Sequence, residues 1–168
     1  MSKPNLAMPA SLARRPQYRG MPIPYMSPIG RDGVPLFSVD NEVLKLEVMH
    51  QRLCGLCGEK LGQWIGFIGD MDCMLDRIFE QPGMHIDCLQ YAASICPYIA
   101  RTNYQVHTRA KITGQVENII LLNAEMADYP RPERMLIYVT SDYEIIGGGP
   151  TLAARVAPHR KIIWIDKV

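Results

Sequence analysis

Four residues with metal-binding side chains occur as two closely spaced pairs. Cys54 and Cys57 enclose two residues and are each followed by glycine in the stretch CGLCGE, and His85 and Cys88 repeat the spacing in HIDC. Thiolates and imidazoles are the ligands that zinc prefers in proteins. The cysteine pair alone has three interpretations: two metal ligands, a redox-active pair, or two thiols buried in a core.

The context of the two pairs favours a metal site. The stretch HIDCLQYAASIC predicts a helix, so His85 and Cys88 lie in or near its first turn, where the positive potential favours a thiolate. The glycines beside Cys54 and Cys57 let backbone N–H groups approach sulfur, whereas a redox pair expects its first cysteine to cap a helix. We therefore predict a closed, structural Zn²⁺ site at Cys54, Cys57, His85 and Cys88, with the redox and core interpretations as alternatives.

Two further cysteines need their own interpretation. Cys96 lies on the apolar side of the predicted helix and is expected to be a small buried hydrophobic residue. Cys73 lies among three aspartates, which raise the pKa of a thiol and make it a poor nucleophile. Cys73 is also an alternative to His85 as the fourth metal ligand.

The elements that must position the ligands follow from apolar spacing and helix-breaking residues. Asp40 or Asn41 is expected to cap a helix that precedes the cysteine pair. The glycine-rich apolar segment 61–72 predicts a β-hairpin, and an irregular acidic connector then leads to Pro82-Gly83 and to the second helix, which Pro97 ends. A cysteine knuckle, a hairpin and a helix start that carries two ligands form the arrangement of a treble-clef zinc finger.

The whole chain divides into three predicted parts. Residues 1–38 form a proline-rich basic arm, with a turn at 30–33 and a disordered first dozen residues, and residues 39–100 form the treble-clef core. Residues 101–168 form a small β-rich part, with strands in RMLIYVTSDYEII and KIIWIDKV and a loop with one helical turn in GGGPTLAARVAPHR between them. The predicted fold class is α+β, with a small antiparallel C-terminal sheet.

Composition excludes several classes of protein. Of the 168 residues, 48% are hydrophobic and 21% are charged, as in ordinary globular domains, and the formal charge of +1 gives no global attraction to nucleic acid or membranes. No window reaches the roughly 18 to 20 apolar residues of a membrane span, and MSKPNLAMPASLARRP lacks the apolar core of a secretory signal. We therefore expect a cytoplasmic protein with reduced cysteines and no membrane partner.

Six basic residues are candidates for binding nucleic acid or another partner: Arg14, Arg15, Arg19, Arg101, Arg109 and Lys111. Basic side chains with neighbouring aromatic rings could bind a single strand, but the same residues could equally form a solvated surface. The predicted finger is acidic and would repel phosphate. A divergent HNH-type nuclease is a third alternative, although His85 is already assigned to zinc and the segment 61–72 contains no histidine or asparagine.

The order of motifs resembles a family of small zinc-binding proteins of bacteria and their phages that has no assigned activity. The shared motifs are Arg14-Arg15, the Gly-x-Pro-x-Pro arm at 20–24, Cys-x2-Cys-Gly-Glu-x-Leu-Gly at 54–62, the Met/Cys segment at 71–73, Pro-x2-His-x2-Cys at 82–88 and Cys-Pro-aromatic at 96–98. The resemblance covers roughly residues 14–100 and is looser beyond. The acidic connector GDMDCMLD of this chain departs from the family pattern.

The resemblance implies the same metal ligands and a phage or mobile-element setting, in a bacterial or infected host cell. Small zinc-stabilised proteins of that setting often bind a host or phage component. We therefore expect a non-enzymatic zinc-stabilised binding protein that acts through a protein partner, recognised by its arm and by an apolar surface to which its ten methionines contribute. The alternative is a nucleic-acid-binding accessory protein.

Overall fold

The protein combines helices with antiparallel strands, so the predicted α+β class is confirmed. The computed structural model describes residues 6–37, 39–96, 99, 119–121 and 132–166. Its helices are α1 (Ala10–Ala13), α2 (Glu42–Gln51), α3 (Met71–Asp76) and α4 (Ile86–Ile95). Its strands are β1 (Gln17–Tyr18), β2 (Met21–Pro22), β3 (Val39–Asn41), β4 (Ile65–Gly69), β5 (Ile78–Phe79), β6 (Ile119–Leu121), β7 (Met135–Thr140), β8 (Tyr143–Ile146), β9 (Ala153–Val156) and β10 (Lys161–Ile165).

A three-stranded antiparallel sheet, in the order β10-β7-β4, lies at the centre of the fold. Successive side chains of a strand point to opposite faces. On β7, Ile137 and Val139 pack into a first hydrophobic cluster, which contains buried residues of α4 and the cysteines Cys54, Cys57 and Cys88. Leu136 and Tyr138 pack into a second cluster with Phe67 of β4. The sheet is therefore buried on both faces and positions the site on one of them.

The β-hairpin predicted over 61–72 is not formed. The segment contributes the single strand β4, which pairs with β7, and the predicted irregular connector contains α3 and β5 instead. The Asp70 carboxylate caps α3 by accepting a hydrogen bond from the Cys73 amide at 3.0 Å. A continuous apolar run such as IGFIG is typical of a strand buried on both faces, and its partner comes from a distant part of the chain.

A second antiparallel sheet, in the order β5-β9-β8, covers the other face of the central sheet. Its middle strand β9 lies within GGGPTLAARVAPHR, for which the sequence predicts a loop, whereas the predicted helical turn is present as a 3₁₀ turn at Gly149–Thr151. Strands β7 and β8 are separate, with Ser141 and Asp142 between them. The C-terminal part thus forms antiparallel strands as predicted, but strands β7 to β10 belong to two sheets, and a strand from the middle of the chain completes each of them, β4 in one and β5 in the other.

The two long helices begin where the sequence predicts, and α4 also ends close to the predicted position. Asn41 caps α2, because its side-chain oxygen accepts a hydrogen bond from the Leu44 amide at 3.0 Å. Arg52 ends α2 in the left-handed conformation, with φ of 54°. Helix α4 ends at Ile95, shortly before Pro97. None of the helices within the described residues is long and apolar enough to cross a membrane.

The proline-rich arm is extended, with local structure. Strands β1 and β2 pair, and the predicted turn at 30–33 is closed by the Gly33 amide, which donates to the Gly30 carbonyl at 2.9 Å. The prediction of a disordered first dozen residues is wrong for residues 6–12, because α1 begins at Ala10 and Leu12 is only 2% exposed. Burial of Leu12 in the first cluster anchors this segment beside the cysteines.

Candidate metal centre

Cys54, Cys57, His85 and Cys88 converge at one point of the first cluster. Their ligand atoms all lie within 4.8 Å of one another, and no other such group of metal-binding side chains occurs in the part of the chain that the structure describes. The three cysteines are buried and are free thiols, while His85 is partly exposed. The prediction that these four side chains come together is confirmed.

A tight turn presents the first two thiols. After α2 ends at Arg52, Leu53 forms an antiparallel bridge with Lys60. Within this loop the Cys54 amide donates to the Glu59 carbonyl at 2.8 Å, and the Gly58 amide donates to the Cys54 carbonyl at 2.8 Å. Gly58 has φ of +80°, a conformation that glycine adopts without steric cost. These bonds fold the turn so that both thiols face the same point.

The start of α4 presents the other two ligands, and β4 holds it in place. Gly66 of β4 and Met84 exchange two backbone hydrogen bonds of 2.8 and 2.9 Å, so His85 and Cys88 follow directly from a fixed strand position. A Cβ atom on Gly66 would lie 2.8 Å from Leu89 Cδ1, so the missing side chain allows α4 to pack closely on the sheet. His85 is the N-cap residue of α4, and Cys88 lies in its first turn.

The distances fit a tetrahedral metal ion. His85 Nδ1 lies 3.3 Å from Cys57 Sγ and 4.0 Å from Cys88 Sγ. A tetrahedral zinc ion with Zn–S bonds of about 2.3 Å and a Zn–N bond of about 2.0 Å separates sulfur from nitrogen by about 3.5 Å. The two observed distances lie on either side of this value, so both are compatible with one ion bound between His85 and the two cysteines.

The hydrogen bond of the second imidazole nitrogen fixes which nitrogen is free to bind. His85 Nε2 lies 2.9 Å from the Lys60 carbonyl oxygen, which can only accept a hydrogen bond. Nε2 therefore carries the proton, and Nδ1 presents its lone pair to the cysteines. Metal-binding histidines typically donate their second N–H to a carbonyl or carboxylate in this way. The contact of His85 with Lys60 was missed at the sequence level, because it involves a backbone atom and no residue type signals it.

Interactions inside the cluster set the protonation of the metal-free thiols. A hydrogen bond from the Cys88 thiol lowers the pKa of Cys54 against the opposing effect of burial, and the backbone amides of Cys57, His85 and Leu56 lower it further. The same bond, together with burial, raises the pKa of Cys88. Burial also raises the pKa of Cys57. The metal-free cluster thus holds protons that a divalent ion must displace.

Cys73 does not belong to the cluster. It lies on α3 and packs against the second hydrophobic cluster, on the opposite face of the central sheet. Burial is the main cause that raises the pKa of its thiol to about 11, and Asp70 contributes further. The alternative in which Cys73 replaces His85 as a ligand is therefore not supported by the structure. Cys96, the C-cap residue of α4, is likewise outside the cluster.

Three of the six basic candidates lie in the described arm, and each has a partner within the protein. Arg14 forms an ion pair with Glu59 of the CGLCGE stretch. Arg15 donates from Nε to the Ile23 carbonyl at 3.0 Å, and the guanidinium of Arg19 lies over the ring of Tyr18. The structure therefore gives these arginines roles in folding the arm. The other three candidates, Arg101, Arg109 and Lys111, lie outside the described residues.

Comparisons of the chain with protein-family models, with curated proteins and with solved structures found no match. The interpretation of the site consequently depends on its own geometry: three buried thiols, one imidazole of fixed tautomer, and backbone amides that point at sulfur. This arrangement can bind a thiophilic divalent ion.

Proposed function

We propose that Cys54, Cys57, His85 and Cys88 bind one Zn²⁺ ion as a structural site. The observation that carries this proposal is the convergence of three thiols and the free Nδ1 of His85 within 4.8 Å. Three sulfur ligands and one nitrogen ligand in a tetrahedral arrangement are typical of zinc. The four ligands complete the coordination shell and leave no open position for a substrate, so the site is non-enzymatic.

The surrounding elements support a treble-clef arrangement with an insertion. The Leu53–Lys60 bridge forms the knuckle, and α4 supplies the last two ligands from its start. In place of a simple hairpin, β4 pairs with Met84 while α3 and β5 lie between the two. In this proposal the treble clef keeps its two ligand-bearing ends and lengthens the connection between them.

Zinc would stabilise the fold because its ligands are part of the core. The three cysteines lie in the same cluster as Leu89 of α4 and Ile137 of the central sheet. The knuckle and α4 are distant in sequence, and a metal ion that binds both joins them directly. Since such a site does not exist in the unfolded chain, the free energy of metal binding contributes to the free energy of folding.

We further propose that the protein acts by binding another protein, in the phage or mobile-element setting that the sequence resemblance implies. The apolar surface of helix α3 supports the proposal of a protein partner, because Leu75 and Met71 are 70% and 46% exposed. They are four residues apart and so lie on one face of the helix. Asp72 and Asp76 flank them, which favours a partner with apolar side chains surrounded by basic ones.

The alternative of nucleic-acid binding has weaker support. The acidic residues around α3 repel phosphate, and the described arginines of the arm already have partners within the protein. Apolar contacts and phosphate contacts respond differently to salt. Phosphate contacts weaken steeply between low and moderate salt, whereas apolar contacts persist.

The test uses the full-length, zinc-loaded protein as bait in a bacterial lysate, washed with low salt and then with about 0.5 M NaCl, where phosphate contacts are weak. The double variant Met71→Gln/Leu75→Gln is compared with Val43→Gln/Leu46→Gln, which changes the exposed apolar pair of α2. We expect a defined protein that survives high salt, is lost with the α3 variant and is kept with the α2 variant. Retention of nucleic acid that high salt removes would support the alternative, and equal retention by both variants would contradict the role of α3.

A further inference from the structure

The N-terminal segment reaches the proposed metal ligands through a hydroxyl group. Ser11 Oγ lies 3.5 Å from Cys88 Sγ, within hydrogen-bonding distance of the sulfur. A cysteine that binds zinc has lost its proton and can only accept a hydrogen bond. In the metal-bound protein the Ser11 hydroxyl must therefore be the donor to sulfur.

Backbone contacts hold the same segment against the knuckle. The amide of Tyr25 donates to the Leu56 carbonyl at 2.8 Å, and the amide of Met26 donates to the Gly55 carbonyl at 3.2 Å. Both acceptors lie between the first two ligands. Gly55 is also closely packed, since a Cβ atom there would lie 3.0 Å from Pro82 Cγ and 3.4 Å from Met26 Sδ. The segment thus contacts the knuckle turn directly.

Side chains near both ends of this N-terminal segment pack against the cysteine cluster and the knuckle. Leu12 is buried in the same hydrophobic cluster as Cys54, Cys57 and Cys88, with Met8 packed beside it. The ring of Tyr25 lies against Gly58, and Arg14 pairs with Glu59. The contacts come from positions spread over residues 8–26, so the segment covers the cysteines along a length of chain.

We propose that residues 8–26 close the metal centre, and that Ser11 is a positioning residue that donates a hydrogen bond to the thiolate of Cys88. This inference rests on the proposed zinc site. Three thiolates and one Zn²⁺ ion leave a net negative charge on the centre, and a hydroxyl donor offsets it. Donors in the outer shell of a metal typically change its affinity by about 10- to 100-fold. The covering segment also limits access of water and competing ligands.

The test measures metal affinity and the spectrum of the Co²⁺-substituted protein for Ser11→Ala, with Ser11→Thr and the exposed Ser141→Ala as controls. We expect Ser11→Ala to lose about tenfold in Zn²⁺ affinity in competition with a chelator. We also expect its thiolate-to-cobalt charge-transfer band to move, because the electron density on sulfur changes. Ser11→Thr keeps the hydroxyl and should resemble the wild type, as should Ser141→Ala. Unchanged affinity and an unchanged band in Ser11→Ala would overturn the role of Ser11.

A second measurement on the wild type needs no variant to fold. In the zinc-loaded protein, hydrogen exchange at the amides of Tyr25 and Met26 should be slow, because both donate to the knuckle. Exchange there at the rate of an unpaired amide would overturn closure of the segment. Failure of the underlying zinc proposal gives a different result, since the wild type itself would then show no cobalt spectrum and no zinc affinity.

Discussion

Replacement of Gly58 by alanine tests the contact between the knuckle and the arm. Gly58 has φ of +80°, where a residue with a Cβ atom pays about 1 to 2 kcal/mol. That Cβ atom would also lie 2.5 Å from Cδ2 of Tyr25 and 2.8 Å from its Cγ, so the ring must move by about 1 Å to restore an ordinary contact distance of about 3.5 to 4.0 Å. Such overpacking costs about 1 to 3 kcal/mol.

The two costs together give a loss of about 3 kcal/mol in the free energy of unfolding for Gly58→Ala. For a chain of this size, that corresponds to a fall in Tm of about 6 to 12 °C. The arm cannot simply release the ring, because the Tyr25 amide is bound to the Leu56 carbonyl. Thermal unfolding of the zinc-loaded protein, followed by circular dichroism, measures the change.

Two other glycines serve as matched controls. Gly33 has a similar φ of +77°, but a Cβ atom added there would have no neighbour within 4 Å, so Gly33→Ala should cost only about 1 kcal/mol and lower Tm by about 2 to 4 °C. Gly62 has neither a positive φ nor a close neighbour, so Gly62→Ala should be nearly neutral. Equal losses for Gly58→Ala and Gly33→Ala would refute the reasoning, since they would show that Tyr25 does not pack on the knuckle.

Three further predictions concern the site and the core. The apparent Zn²⁺ affinity should rise with pH between about 6 and 8, by up to about 100-fold per pH unit, because the metal displaces the protons of Cys57 and Cys88, whose pKa values are raised in the metal-free cluster. Chelator competition at several pH values measures this affinity, and an affinity independent of pH would contradict the prediction. In the native protein at pH 8, Cys73 should react slowly with iodoacetamide, because its pKa is about 11, and Cys73→Ser should keep the metal. Mass spectrometry of the alkylated protein checks the first point and metal analysis the second, and rapid alkylation of Cys73 would show that its thiol does not pack against the second cluster. Leu89→Ala should lower the free energy of unfolding by about 2 to 5 kcal/mol, because Leu89 is buried between α4 and β4. Denaturant titration measures the loss, and a change below about 1 kcal/mol would indicate that α4 does not pack on the sheet as described.

The sequence contained enough local information to find the candidate ligands. The spacing of Cys54 and Cys57 with their glycines, and the position of His85 and Cys88 at a helix start, are signals within a few residues of each ligand. The cap of α2 at Asn41 is equally local. Such features are set by backbone geometry and hydrogen bonding between near neighbours, so residue types reveal them.

The features that the sequence did not reveal depend on contacts between distant segments. Strand β4 has the pattern of half a hairpin, but its partner β7 lies far along the chain, and only the packed structure shows that pairing. Strand β9 is short and lies between glycine- and proline-containing turns, so its pattern resembles a loop. Helix α3 is the exception, since Asp70 is an ordinary N-cap residue and gives a usable signal.

The contacts that surround the candidate metal ligands could not be predicted from the sequence for a related reason. Ser11 meets Cys88 across 77 positions of sequence, and the Lys60 carbonyl that orients His85 is a backbone atom present in any residue. No sequence motif marks either of these two contacts. The proline pattern indicates an arm, but the contact of this arm with the cysteines, through Ser11 and the buried Leu12, is visible only in the structure.

The central claim is that Cys54, Cys57, His85 and Cys88 bind one structural Zn²⁺ ion. The most direct test is the metal content per chain of protein purified without added zinc, measured by mass spectrometry for the wild type, Cys57→Ser and His85→Ala, with Cys73→Ser as the matched cysteine control. We predict one zinc in the wild type and in Cys73→Ser, and loss of both metal and fold in the two ligand variants. A folded wild-type protein that contains no metal, and that Cys57→Ser leaves equally stable, would contradict the claim and make the four side chains part of the core alone.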